Sequence, residues 1–238
     1  MPGRCGSSER RAEVRFLAVA LAVARKDVRC ELRGRELLPA LVQFVVLALV
    51  IANFAFDVDL VQGPRLSPGI LWLVLVFAGL VAFGRAFAGE KDSGSLEAVL
   101  LTPAGATAVF AGKTIAAAAM LVACEAVLLP AMAVFLGSPI SPLVVATVLL
   151  ATIGMAALGC LFAALAAQTR ARELLLPVLA LPIWVPFVVV GGRAVQLAMA
   201  GQSPSALPLA SQPLLVLADF DILFLVVACL AARFVLDD

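Results

Sequence analysis

The chain has 238 residues, of which 63% are hydrophobic and only 14% charged, where an ordinary soluble domain carries about 25% charged residues. Its mean hydropathy is +1.11, and the apolar residues fall in blocks long enough to cross a bilayer. The net charge of +1 gives no global pull toward nucleic acid, and the absence of His and Tyr removes the usual acid–base group near neutral pH and the commonest haem and metal ligands.

Residues 1–36 form a charged segment ahead of the first apolar block, a lead that does not read as a cleaved signal peptide. Within it, residues 11–36 predict an amphipathic helix. At 100° per residue, Arg11, Arg15, Lys26, Arg29 and Arg33 fall within about 60° of one another, and Leu17, Leu21, Ala24, Val28 and Leu32 gather opposite. Such a helix either lies on an anionic cytoplasmic leaflet or packs on the spans with its basic face in water. Pro39 marks the turn into the first span.

Six spans follow, over about residues 37–56, 69–88, 114–136, 142–167, 174–198 and 212–236, each long enough for a hydrocarbon core of about 30 Å. Backbone in lipid must satisfy its own hydrogen bonds, so the expected fold is an all-α integral membrane protein of six transmembrane helices, residues 37–238, behind the N-terminal interfacial helix. Of the 17 basic residues, 15 fall on the side of the N-terminal segment and only Arg65 and Arg193 on the other, which predicts both termini in the cytoplasm. Pro130 sits inside the third span, and Pro177, Pro182 and Pro186 punctuate the fifth, so either a packing kink or a bent, re-entrant segment is expected there. The Gly-, Ser-, Gln- and Pro-rich stretch 191–212 reads as a possible broken hairpin on the outer side. Cys124, Cys160 and Cys229 lie in apolar blocks and read as small core residues.

The polar stretch Ala88–Thr114, AGEKDSGSLEAVLLTPAGATAVFAGKT, interrupts the apolar pattern between the second and third spans. Its terminal Gly112-Lys113-Thr114 does not complete a phosphate-binding loop, which needs a Gly where Thr107 stands; Gly105 lies two residues too early and no strand precedes it. Lys113 is expected to reach the cytoplasmic headgroups at the start of the third span. Upstream, Ser93 or Ser95 can cap a short helix running through Leu96, Glu97, Val99 and Leu100 and ended by Pro103 and Gly105. With its charged start and apolar face, that helix suits docking into a groove on a soluble partner, or it is an ordinary solvated loop.

The run EKDSGSLEAVLLTP (Glu90 to Pro103) resembles the first cytoplasmic loop of ABC-2-type exporter permeases. Within that superfamily the chain is similar to the haem exporter protein B family, the permeases of cytochrome c maturation. The further similarities are SPGILW (Ser67 to Trp72), the F-x-x-E-K-D-S-G-S-L-E pattern from Phe87 to Glu97, and L-P-x-x-x-P from Leu181 to Pro186. An N-terminal extension and very Ala- and Val-rich spans depart from the family pattern without touching these motifs.

The resemblance implies a bacterial inner-membrane permease that pairs, two copies with two, with a separate ATP-binding subunit where ATP is hydrolysed. It implies that residues near 90–103 form the coupling helix, with Glu90, Lys91, Asp92, Gly94, Ser95, Leu96, Glu97, Leu100 and Pro103 meeting that subunit, and that the N-terminal helix is the interfacial elbow. Haem enters as a transported or handled ligand, and a haem-handling membrane protein and a periplasmic haem chaperone as further partners, alongside membrane lipids. No catalytic, cofactor-binding or metal-binding residues are assigned to this chain. Exporters for a drug, lipid or polysaccharide share the loop, and a scaffold that recruits the ATPase without transport needs only the docking surface.

Inside the spans, Glu125 stands out. A mid-span ionisable residue costs about 2.5–3.5 kcal/mol to insert, so it marks either a functional site or a protonated carboxyl bonded to a neighbouring helix. Arg193, Asp219 and Asp221 are expected nearer the outer interface, with Asp219 and Asp221 either facing water or contacting an extracytoplasmic partner.

Overall fold

A computed structural model describes residues 5–34, 37–56, 63–87, 106–167, 169, 172–201 and 212–237. These residues form seven helices: α1 (Cys5–Gly34), α2 (Leu37–Ala55), α3 (Gly63–Gly84), α4 (Ala106–Leu136), α5 (Pro142–Ala167), α6 (Arg172–Met199) and α7 (Pro213–Asp237). Six of them, α2 to α7, are long and apolar enough to cross a membrane. The chain is therefore an all-helical membrane protein, with no strand among the described residues.

The helix ends follow from local chemistry. The Glu31 carboxylate of α1 accepts the Leu37 amide at 2.8 Å, satisfying an open donor at the start of α2, with Pro39 in its first turn. Gly137, at φ 60°, ends α4 in the left-handed conformation that only Gly adopts without strain. Ser141 then caps α5, its hydroxyl accepting the Val144 amide at 3.3 Å, with Pro142 in the first helical position. At that same end the Ser67 and Ser138 hydroxyls hydrogen-bond, tying the start of α3 to the turn after α4.

α5 is the central post. It packs on α3, α4, α6 and α7, and 78% of its most apolar stretch is buried, against 17% for α7. Small residues make this possible. A Cβ on Gly159 would overlap the Phe83 ring of α3, and one on Gly154 would overlap Phe187 of α6 and Asp221 of α7. Gly191 does the same for α6, lying directly against the Trp72 indole. With lipid as the alternative solvent, helix association depends on such close approach rather than on apolar burial alone. Aromatic contacts fill the remaining space: Phe83 meets Trp184 edge-on at 5.7 Å, and Phe187 leans on Phe220 and Phe224.

Several expectations need correction. α3 begins at Gly63 and α4 at Ala106, earlier than the apolar runs suggest. α4 therefore has 31 residues, about 46 Å at 1.5 Å per residue, so one end extends past a hydrocarbon core of about 30 Å. α6 is helical without a break from Arg172 to Met199, through all three prolines, so residues 191–199 form no hairpin; residues 202–211 lie outside the described set. Cys124 and Cys160 are buried, but Cys229 is exposed on α7. The apolar stripe of α1 divides: Ala24 is buried and Val28 packs on the core, while Leu17, Leu21 and Leu32 are more than half exposed.

Candidate functional site

Among the described residues, buried charged side chains stand at two places inside this apolar frame. The first is the junction of α1, the end of α3 and the start of α4, which flanks the 88–105 segment. The second is a pair of carboxylates beside α5.

At the junction, α1 runs along α4. Ala20 and Ala24 turn inward from α1, and α4 presents Gly112 to them. A Cβ there would stand 2.6 Å from the Ala20 carbonyl oxygen and 2.7 Å from Val23 Cβ. One residue on, Lys113 is 2% exposed. Its ammonium donates to the Ala86 carbonyl at 2.8 Å and to Asp27 Oδ2 at 3.2 Å, and lies 5.0 Å from the centre of the Phe87 ring. Asp27 is also paired with its neighbour Lys26 at 3.0 Å. Beside this cluster, Glu31, Arg85 and Met120 help line a cavity of about 310 Å³.

Lys113 therefore does not reach the headgroups. It turns inward, because a charge in this setting is tolerable only when paired and hydrogen-bonded. The Gly-Lys-Thr triplet is explained entirely by packing: Gly112 admits α1, Lys113 bridges to it, and the Thr114 hydroxyl bonds back to the Phe110 carbonyl at 3.0 Å. Asp27 belongs to neither stripe of α1, so periodicity gives it no role, and its partner lies 86 residues away.

The residues expected to meet an ATPase, Glu90, Lys91, Asp92, Gly94, Ser95, Leu96, Glu97, Leu100 and Pro103, lie outside the described residues. What is described is their flanks. Ala86 and Phe87 end before the segment, α4 starts after it, and Lys113 joins the two flanks to each other and to α1.

Deeper in the bundle, Glu125 of α4 is buried, and its Oε1 accepts a hydrogen bond from the Thr152 hydroxyl of α5. Thr152 also donates toward Val148 O at 3.0 Å, the usual back-bond of a mid-helix Thr. Glu125 Oε2 has no hydrogen-bond partner among the described residues. Asp221 of α7 is 4% exposed rather than facing water, and it lies against Gly154 and Phe187. Its two oxygens also lack hydrogen-bond partners among the described residues. Asp219 and Arg193 are exposed. Thr152 and Gly154 are two positions apart on α5, so the two acids meet it at nearly one depth, on roughly opposite sides. Sequence reading finds Glu125 by its setting but misplaces Asp221, because the small α5 residue that makes room for it is distant in sequence.

Comparison with known proteins agrees with this architecture. The family model described as CcmB protein matches residues 18–237, nearly the whole described bundle. Heme exporter protein B of Bradyrhizobium diazoefficiens is 31% identical over 76% of this chain and 82% of its own length. The protein of that name from Pseudomonas aeruginosa is also 31% identical, with the same coverage of both chains. That of Paracoccus denitrificans is 33% identical over 59% of this chain and 65% of its own. Six membrane-length helices, a long α1 docked on α4 and a match across almost the entire chain lead to one assignment: the chain belongs to the CcmB protein family.

Proposed function

We propose that this chain is the permease subunit of an ATP-driven transporter in the bacterial inner membrane. It serves the step of cytochrome c maturation in which haem is exported or a haem-loaded periplasmic chaperone is released. Two copies pair with two copies of a separate ATP-binding subunit, and both termini lie in the cytoplasm, where the basic residues concentrate. The 88–105 segment is the docking element. Glu90, Lys91, Asp92, Gly94, Ser95 and Glu97 supply polar contacts, Leu96 and Leu100 anchor in an apolar groove of the ATPase, and Pro103 ends the helix.

The observation that carries this reading is the convergence of α1, the end of α3 and the start of α4 around Lys113, at the two ends of that segment. A force applied to the segment enters the bundle there, through α3 and α4, both of which contact the central α5. The relatives' printed name favours haem over a drug, lipid or polysaccharide. The chain contains neither His nor Tyr, the commonest axial haem ligands besides Cys and Met, and in this reading partner subunits hold the haem iron while this chain contributes the mechanical step.

The test is Glu97→Lys, which reverses charge on the docking element. It weakens co-purification of the ATP-binding subunit while leaving the amount of this chain in the membrane unchanged. Unaltered association, with unaltered ATPase activity of the complex, removes the docking assignment.

A further inference from the structure

We propose that the groove between α3 and α6, at the end of the bundle opposite Lys113, is a binding site for an anionic phospholipid. Its volume is about 590 Å³, within the ordinary range for a ligand site. Trp72, Leu73 and Phe77 of α3 form one wall, and Val189, Gly192 and Arg193 of α6 the other. Leu73 and Val189 are more than half exposed and Phe77 nearly half, so the groove opens sideways, on the surface that lipid covers in a spanning bundle.

Its polar lining has no partner of its own. Trp72 is 2% exposed, and its Nε1 has no hydrogen-bond partner among the described residues. A buried N–H without an acceptor is costly. Gly192 leaves that edge of the indole open to the groove, since even a Cβ there would stand 3.7 Å from Nε1. Arg193 and Gln196, three apart on one face of α6, also line the groove. Both are exposed, and neither has an ion pair or hydrogen bond among the described residues. No acidic side chain stands among the described residues that line the groove, so its charge is positive and favours an anionic ligand.

The depths of these groups match a phospholipid taken from its head inward. The Trp72 indole lies level with Gly191 and Gly192. Arg193 and Gln196 lie up to about 6 Å farther toward the end of α6, at 1.5 Å per residue. Val188 and Val189 lie on the other side of the indole, deeper in the bundle. The guanidinium and the amide therefore meet the phosphate, the geometry that suits Arg best. The indole N–H donates to a glycerol-ester carbonyl, and an acyl chain runs along Val189 and Phe77. An Arg that merely reached for the headgroups would explain the cation, but not a buried indole N–H facing the same groove. The site goes beyond the function proposed above and does not rest on it.

The experiment is native mass spectrometry of the full chain in detergent, titrated with phosphatidylglycerol, phosphatidylethanolamine or soluble glycerol phosphate. The proposal expects one phosphatidylglycerol per chain, bound more tightly than phosphatidylethanolamine and not displaced by glycerol phosphate. Arg193→Gln weakens it at least about tenfold, and Trp72→Phe, which keeps a ring and loses the N–H, roughly fivefold. Arg65→Gln, which removes an exposed charge near the start of α3 but outside the groove, leaves binding unchanged. Unaltered binding in Arg193→Gln overturns the proposal, as does an equal loss in Arg65→Gln, which would report charge in general. Displacement by glycerol phosphate assigns the donors to a free phosphate and overturns the lipid. A dimer that binds no phosphatidylglycerol and falls to monomers in Arg193→Gln gives the groove to a second copy and overturns it as well. Should Trp72→Phe fail to fold, Arg193→Gln and Gln196→Leu, both at exposed positions, decide the matter alone.

Discussion

Gly112→Ala is the sharpest perturbation of the junction. In a helix interior, replacing Gly by Ala ordinarily stabilises by about 1 kcal/mol, because Gly has more backbone freedom to lose. At Gly112 the added methyl would stand 2.6 Å from a backbone carbonyl oxygen of α1 and 2.7 Å from Val23 Cβ. A carbonyl cannot rotate aside as a flexible side-chain end can, so α1 must move. Overpacking of this kind costs about 1–3 kcal/mol, and a rigid neighbour places the case at the upper end. Subtracting the propensity gain leaves a net loss of about 2 kcal/mol, or roughly 4–8 °C in melting temperature for a chain of this size. Gly69→Ala is the matched control, since nothing lies within 4 Å of its Cβ position. Thermal unfolding in detergent, followed by the loss of the monodisperse peak on size exclusion, compares the two. The account expects Gly112→Ala to melt below the parent protein and Gly69→Ala at or slightly above it. Equal melting of the two variants would refute the close approach of α1 to α4.

Glu125→Gln keeps an acceptor for the Thr152 hydroxyl and is expected to fold at the parent level, whereas Glu125→Ala loses an interhelical bond worth about 1 kcal/mol. If cytochrome c yield is unchanged in Glu125→Gln, the residue is structural; a fall without loss of folding assigns it to the working cycle. Gly191→Ala drives a methyl into the Trp72 indole and is expected to lower stability by about 1–3 kcal/mol. Trp72→Leu should relieve it, and a double variant no better than Gly191→Ala alone would contradict the contact. A membrane-permeant maleimide is expected to modify Cys30, exposed on α1, and spare the buried Cys124 and Cys160 in the folded protein. Rapid labelling of Cys160 would contradict the placement of α5 at the centre.

Much of the architecture can be read from the residues because lipid leaves few choices. Apolar runs of membrane length become helices, and the α5 boundaries at Pro142 and Ala167 follow from a Ser-Pro start and the polar residues beyond its end. The starts of α3 and α4 are less legible: each helix extends outward through residues whose polarity is met by tertiary partners. For Lys113 these are Asp27 and the Ala86 carbonyl, and a window of hydropathy cannot see either. The same blindness misplaces Asp221, whose cavity exists because Gly154 lacks a side chain. Leu17, Leu21 and Leu32 form a stripe by periodicity, yet the face that packs on α4 is made by Ala20 and Ala24, since close helix approach selects small residues over large ones. The residues from Glu90 to Pro103, proposed above as the docking element, are legible only as a motif, and they lie outside the described residues.

The central claim is that this chain works as the membrane half of an ATP-driven complex. Affinity purification from native membranes, with mass spectrometry of the accompanying proteins, tests it most directly. The account predicts recovery of a soluble ATP-binding subunit together with a haem-handling membrane protein, and loss of the ATP-binding subunit in Glu97→Lys. Recovery of no ATP-binding subunit, under conditions that preserve other membrane complexes, would contradict it.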